Sequence, residues 1–196
     1  MYNYFRGDTM KKIALDLDGV VFDSENLYRV YTEIYDTDIH KKDTIVDNSQ
    51  RIYQKRYNWS EEEFKNFYDK NAKNILTSAN IMTGADIVLN KLKDKFEFIV
   101  VTSRSDVETE IAKIRLTEIG LDNIQIFNNE HHKIDRLIRE QVDFIIDDDD
   151  VICSNAVDNN ICAIYLKNNA SNRCEKDKVI NVNNWGEIYK FLMLNN

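Results

Sequence analysis

The stretch Lys11-Lys12-Ile13-Ala14-Leu15-Asp16-Leu17-Asp18-Gly19 decides how this chain folds. A short apolar run stops abruptly at two aspartates and a glycine. Near-continuous apolar runs of this length suit strands covered on both faces, as in a parallel sheet. Similar runs recur at residues 96–102 (FEFIVVT), 124–127 (IQIF), 142–147 (VDFIID) and 161–166 (ICAIYL). Helical patterns alternate with them. Ile87, Val88 and Leu92 share a face over residues 84–95. Val107, Ile111, Ile114 and Ile119 do so over residues 106–120, and Ile134, Leu137 and Ile138 over residues 133–141. Residues 185–194 form a closing amphipathic helix. This alternation predicts an α/β fold: a doubly wound parallel, Rossmann-like sheet of five main strands with right-handed crossovers.

One segment breaks the alternation. Residues 24–82 carry aromatic and charged side chains at helical spacing, among them Tyr28, Tyr31, Ile34 and Tyr35, then Phe64, Phe67 and Tyr68. Ser60 followed by Glu61, Glu62 and Glu63 reads as a capping box with acids at a helix start. The expectation is a small all-helical cap at 24–82, inserted after the first strand. Residues 10–23 and 83–196 would form the core, and residues 1–9 an N-terminal extension.

The 196 residues suffice for one sizeable core, and 43 % apolar with 31 % charged residues is the make-up of an ordered globular protein. A net charge of −8 disfavours charge-driven binding to nucleic acid polymers or anionic membranes. No run approaches the length of a membrane span, and Asp16 and Asp18 interrupt the only apolar stretch near the start, so a cytoplasmic location is expected. Cys153, Cys162 and Cys174 then read as free thiols without zinc-ligand spacing. There is no proline, so loops must be turned by Asn, Asp and the five glycines.

Acids gather where strands end. Asp16 and Asp18 follow the first run, Thr102-Ser103-Arg104 closes the second, and Asp147-Asp148-Asp149-Asp150 closes the fourth. Lys133 opens the helix before the fourth. In open α/β sheets the carboxyl edge binds ligands. Carboxylates converging there repel unless a cation sits among them, and oxygen-only ligands suit Mg²⁺. A hydroxyl and an ammonium nearby suit a phosphate. Together they point to Mg²⁺-assisted phosphoryl transfer.

In these residues the chain resembles the haloacid dehalogenase-like superfamily of phosphohydrolases. The first motif is matched by residues 16–24 (DLDGVVFDS), the second by 99–103 (IVVTS), the third by Lys133 and the fourth by 145–148 (IIDD). The resemblance implies Asp16 as nucleophile and Asp18 as the acid that protonates the leaving oxygen and then activates water. It implies Mg²⁺ held by the Asp16 carboxylate, the Asp18 backbone carbonyl and Asp148, with Asp147 in support. Thr102, Ser103 and Lys133 would bind the phosphoryl group of a small phosphorylated metabolite. Within the superfamily the similarity runs to the 5′(3′)-deoxyribonucleotidase-like branch, on Thr102-Ser103, Asp147-Asp148 with Ala156 downstream, and a short cap. Asp150 and Thr83 stand where that branch often has proline. The alternatives are a sugar-phosphate phosphatase, a phosphomutase, or a non-catalytic receiver-like phosphate-binding domain.

Simpler roles are expected for several neighbours. Asp149 and Asp150 read as acids at a helix start, and Asp23 and Ser24 as helix caps. His131 and His132 read as a solvated helix start. The aromatics of the inserted segment, including Tyr28, Tyr31, Tyr53, Tyr57, Trp59 and Phe64, read as its own core. Arg104 is open between touching substrate and pairing with an acid.

Overall fold

A computed structural model describes residues 10–50, 52–168 and 171–195; the extension expected at 1–9 lies outside them. The chain runs through β1 (Lys11–Leu15), α1 (Ser24–His40), α2 (Tyr53–Arg56), α3 (Glu61–Ser78), α4 (Ala85–Leu92) and β2 (Phe96–Val101). It continues through α5 (Asp106–Glu118), β3 (Gln125–Phe127), α6 (Lys133–Arg139), β4 (Phe144–Asp147) and α7 (Asp150–Asp158). It ends with β5 (Cys162–Leu166), β6 (Ile180–Val182) and α8 (Trp185–Leu194).

The strands form one sheet in the order β3-β2-β1-β4-β5-β6, and every pair is parallel. Residue alternation sends neighbouring side chains to opposite faces. Ile13, Leu15, Val100 and Ile146 join the core under Leu89, Leu92, Trp185 and Ile188. Ala14, Ile99, Val101 and Ile145 join the other, with Leu137 and Ala156. This is the doubly wound fold that strand–helix alternation predicts.

The sheet has six strands rather than five. β6 escapes a reading of apolar runs because it is three residues long and carries a polar Asn181 at its centre. Its order comes from pairing: Ile180 lies opposite Ile164 and Val182 opposite Leu166, while the Asn181 side chain bonds the Cys174 backbone. The helical faces also differ. α5 buries Thr109, Ala112 and Leu116, leaving Val107 and Ile114 exposed. Ile87 and Ile138 likewise face outward. A helix turns inward the face that its neighbours leave room for, and Ala112 supplies a close fit that a search for large apolar residues passes over.

The inserted helices have their own aromatic core. Tyr57, Trp59, Phe67 and Ile75 are buried there, with Tyr28, Tyr31, Tyr35, Tyr53 and Phe64 packed around them. Ser60 starts α3 as the sequence predicts, accepting from the Glu63 N–H while Glu63 accepts from the Ser60 N–H. The segment leaves and rejoins the sheet along one seam: Asp23 N–H donates to Asn80 and Met82 N–H to Val21. Without proline, positive-φ turns fall to Gly19, Gly84 and Gly120, and to Lys41, Asn129, Gln141, Asn160 and Lys178. Among the described residues no helix is long and apolar enough to cross a membrane, and all three cysteines are free thiols.

Candidate active site

The register of the central strands puts the motif residues level with one another. Leu15 lies opposite Val100 on one side and Ile146 on the other. Asp16 and Asp147 follow directly and Thr102 comes one position further, after Val101, so all three reach the same carboxyl edge. The Asp16 N–H donates to Ile146 and the Thr102 N–H to Phe127, prolonging the sheet by one step. From β1 the strand order proceeds outward in both directions, so this edge is also the switch point where open α/β sheets take ligands.

After Asp16 the chain turns back tightly. The Leu17 carbonyl accepts from Val20, Val21 and Phe22, and the Gly19 N–H donates to Phe22. Gly19 has φ +80°, and a Cβ there would lie 2.2 Å from Asp148 Oδ2. Only glycine fits both demands: the left-handed backbone and the close approach of the Asp148 carboxylate.

Asp16, Asp147 and Asp148 each place a carboxylate oxygen within 4.8 Å of the others, and all three are buried. Lys133, brought in at the start of α6, lies 3.0 Å from Asp16 Oδ1 and donates to Asp147 Oδ2 at 2.8 Å. Asp147 Oδ1 accepts from the Asp149 N–H, so both of its oxygens are engaged by the protein. The Asp16 carboxyl is pushed up to about 6: burial raises it most, Lys133 pulls it down, and Asp147 and Asp18 add to the rise. Burial disfavours the Lys133 ammonium, but the Asp147 and Asp16 carboxylates outweigh it and hold Lys133 protonated above its ordinary range. Three buried carboxylates against one ammonium leave a surplus of negative charge. An all-oxygen set with that surplus fits a hard divalent cation.

Asp18 is placed differently. Its carboxylate takes a two-pronged bond from Arg104, Nε to Oδ2 at 2.8 Å and Nη2 to Oδ1 at 2.7 Å, and the Ser24 hydroxyl donates to Oδ1 at 2.5 Å. Burial alone would raise its pKa; the Arg104 guanidinium and Ser24 outweigh this and leave it lowered. Ser24 is thus a partner of Asp18 rather than a helix cap, and Asp23 makes no capping bond with its side chain either. Arg104 pairs with an acid, and that acid belongs to the first motif.

Thr102 is buried, and its hydroxyl accepts from the Arg104 N–H. Ser103 is exposed on the wall of the cleft beneath the inserted helices, with Arg104 and Asp18. Asp149 caps α7, accepting from Val151 and Ile152, and Asp150 sits in its first turn. His131 and His132 are exposed. Sequence reasoning missed the Asp18–Arg104–Ser24 arrangement. The one available signal was the position of Arg104 two residues beyond Thr102.

No family model matches the chain. A curated relative, named "Putative nucleotidase", from Halalkalibacterium halodurans is 23% identical over 180 residues, covering 90% of each chain. Among solved structures, a haloacid dehalogenase-like family hydrolase from Streptococcus pneumoniae superposes with a TM-score of 0.70 at 13% identity, over 93% of this chain and 98% of that one. A haloacid dehalogenase family hydrolase from Deinococcus radiodurans, solved with bound phosphate and sodium, gives 0.69 at 11% identity, covering 94% and 96%. A "predicted phosphoglycolate phosphatase" from Haemophilus somnus gives 0.65 at 18% identity, covering 95% and 100%. With the parallel sheet, its switch point and the acid-lined edge, these likenesses show that the chain has the fold of the haloacid dehalogenase-like hydrolases it superposes on.

Proposed function

We propose that the protein is an Mg²⁺-dependent phosphomonoester hydrolase that works through an aspartyl phosphate on Asp16. The observation that carries the reading is the buried cluster of Asp16, Asp147, Asp148 and Lys133 at the switch point, with Thr102 at the end of the neighbouring strand. A carboxylate nucleophile needs cations between itself and a phosphate dianion. Lys133 supplies one. Asp16 and Asp148 would hold Mg²⁺, with the Asp18 carbonyl, while Asp147 orients Lys133. When bound, the metal would offset the charge that builds on the transferring phosphoryl group.

The chain's residues divide the work. An Asp16 oxygen attacks phosphorus as the bond to the leaving oxygen breaks. Asp18, whose pKa Arg104 and Ser24 lower in the free protein, would have to take up a proton as substrate binds in order to give it to that oxygen, and the Thr102 hydroxyl with the Ser103 loop would hold the phosphoryl oxygens. Water then attacks the aspartyl phosphate, Asp18 takes its proton, and phosphate leaves with Asp16 regenerated. Residues 24–82 would act as the cap over this site, and residues 10–23 with 83–196 as the catalytic core. The likeness to a protein named as a nucleotidase supports nucleoside or deoxynucleoside monophosphates as the substrates.

The test is phosphate release from nucleoside and deoxynucleoside monophosphates, sugar phosphates and a chromogenic ester, with Mg²⁺ or with chelator. Release should require Mg²⁺ and should vanish in Asp16→Asn. An Asp16→Asn protein with full turnover would refute the reading. Release led by sugar phosphates would keep the mechanism and remove the nucleotide preference.

A further inference from the structure

Between the inserted helices and the sheet edge lies a cleft of about 210 Å³, lined among others by Asp18, Tyr28, Tyr53, Gln54, Arg104 and Glu108. Its charges are largely met within the protein. Asp18 is forked by Arg104. Glu25, also on the wall, lies 3.0 Å from Arg56 and 3.2 Å from Arg29. Glu108 accepts from the Ser105 backbone and hydroxyl and from the Tyr68 hydroxyl. One strong donor stands apart. Arg104 Nη1 is closed off from solvent and has no acceptor among the described residues, in a side chain otherwise fixed by Asp18 and by the Phe22 ring 5.3 Å away. A buried donor without a partner is rare enough to require an explanation.

We propose that Arg104 is a specificity-determining residue that takes, through Nη1 once the inserted helices part enough to admit substrate to it, an oxygen or nitrogen acceptor on an uncharged leaving group. The proposal rests on the phosphomonoesterase reading. The acceptor follows from the donor: a site built around a buried donor discriminates against a substrate that leaves it unmet. The absence of charge follows from the walls. Arg104 is the one cation among the described residues lining the cleft, and Asp18 already holds it. A second anion on the substrate would compete with Asp18 for Arg104 and would face Glu25 and Glu108 at close range. Desolvating a charge without a free counter-charge is unfavourable. A neutral polar group avoids both penalties. Tyr28 and Tyr53, stacked with ring centroids 5.7 Å apart, give such a group an apolar surface to rest on.

A series of three esters separates the elements of the proposal: ethyl phosphate, 2-hydroxyethyl phosphate and phosphoglycolate. They differ in carrying no acceptor, a neutral acceptor and a carboxylate. With the intact protein and Mg²⁺, kcat/KM should be highest for 2-hydroxyethyl phosphate, by roughly tenfold or more over each of the others. In Arg104→Met the ratio of 2-hydroxyethyl to ethyl phosphate should fall towards one. Because Arg104 also holds Asp18, absolute rates will drop for both, and the ratio isolates recognition. Arg104→Lys, which keeps the charge but not the fork, should retain part of the ratio and serves if the Met variant does not fold. Phosphoglycolate turned over as well as 2-hydroxyethyl phosphate, or an unchanged ratio in the variants, would overturn the proposal while leaving the hydrolase reading intact. No release from the three esters with release from a nucleoside monophosphate would overturn the proposal alone; no release from either would overturn both.

Discussion

Gly19 shows how much of the site hangs on one missing methyl group. Its backbone sits at φ +80°, and a Cβ would meet Asp148 Oδ2 at 2.2 Å and Cγ at 2.6 Å. Gly19→Ala therefore meets two penalties, about 1–2 kcal/mol for the left-handed backbone and a further displacement of a buried carboxylate. We expect a loss of roughly 1–3 kcal/mol in denaturant unfolding and, separately, a weakened response of the melting temperature to Mg²⁺. An alanine variant with unchanged stability and unchanged metal response would show that the Asp148 carboxylate has ample room to move. At this scale the sequence was legible where chemistry and position coincide. Asp16, Lys133, Asp147 and Asp148 meet because each closes or opens an element at the same edge. Arg104 and Ser24 were not legible, because their shared partner Asp18 lies 86 residues from Arg104 and nothing local marks the pairing. Only the fold brings the two loops together.

Among the elements, α1 is tied to the loops at Thr44 and Trp59 by a buried polar knot beside the aromatic core of the inserted helices. Asp36 accepts from the Thr44 backbone at 3.0 Å, from the Thr44 hydroxyl, and from the Trp59 indole at 2.7 Å. Burial alone would raise its pKa, but these donors outweigh it and leave the carboxyl below its usual range. The sign follows. A carboxyl with a depressed folded pKa stabilises fully above its unfolded value of about 4, and that stability is lost as the pH falls through the folded value. Asp36→Asn presents an amide N–H₂ where Thr44 needs an acceptor, and should lower stability by about 1–3 kcal/mol at neutral pH. The difference from the wild type should shrink below pH 4, read by near-UV circular dichroism of the Trp59 region. A constant difference from pH 3 to 7 would exclude the charged form as the source. The element scale also shows where apolar patterning misleads. The strands and the Ser60 helix start follow their local sequence closely, since runs and caps are local. The buried face of α5 does not, since Val107 and Ile114 are outvoted by the fit of Ala112 and Leu116 against the sheet.

For the whole molecule, the acid cluster sets stability against function. Asp16, Asp147 and Asp148 are drawn together under burial, with Lys133 the ammonium that bridges Asp16 and Asp147. Like charges in a poorly hydrated site repel, so the metal-free protein carries a strain that a divalent cation would relieve. Binding to the folded state alone raises stability by RT ln(1 + [L]/Kd), about 2.7 kcal/mol at a hundred times Kd. For a chain of this size that corresponds to a rise of several degrees in melting temperature, at about 2–4 °C per kcal/mol. The same reasoning gives Asp148→Asn opposite effects in two conditions. With chelator, removing one of the repelling charges should leave the variant as stable as the wild type or more so. With saturating Mg²⁺, the wild type should rise above it, because the variant lacks a ligand. The crossing of the two melting curves with metal is the diagnostic, and it needs no substrate. A variant less stable than the wild type by the same margin in both conditions would mean that Asp148 serves packing against Gly19 rather than a cation, and the charge argument for the metal would then rest on Asp16 and Asp147 alone.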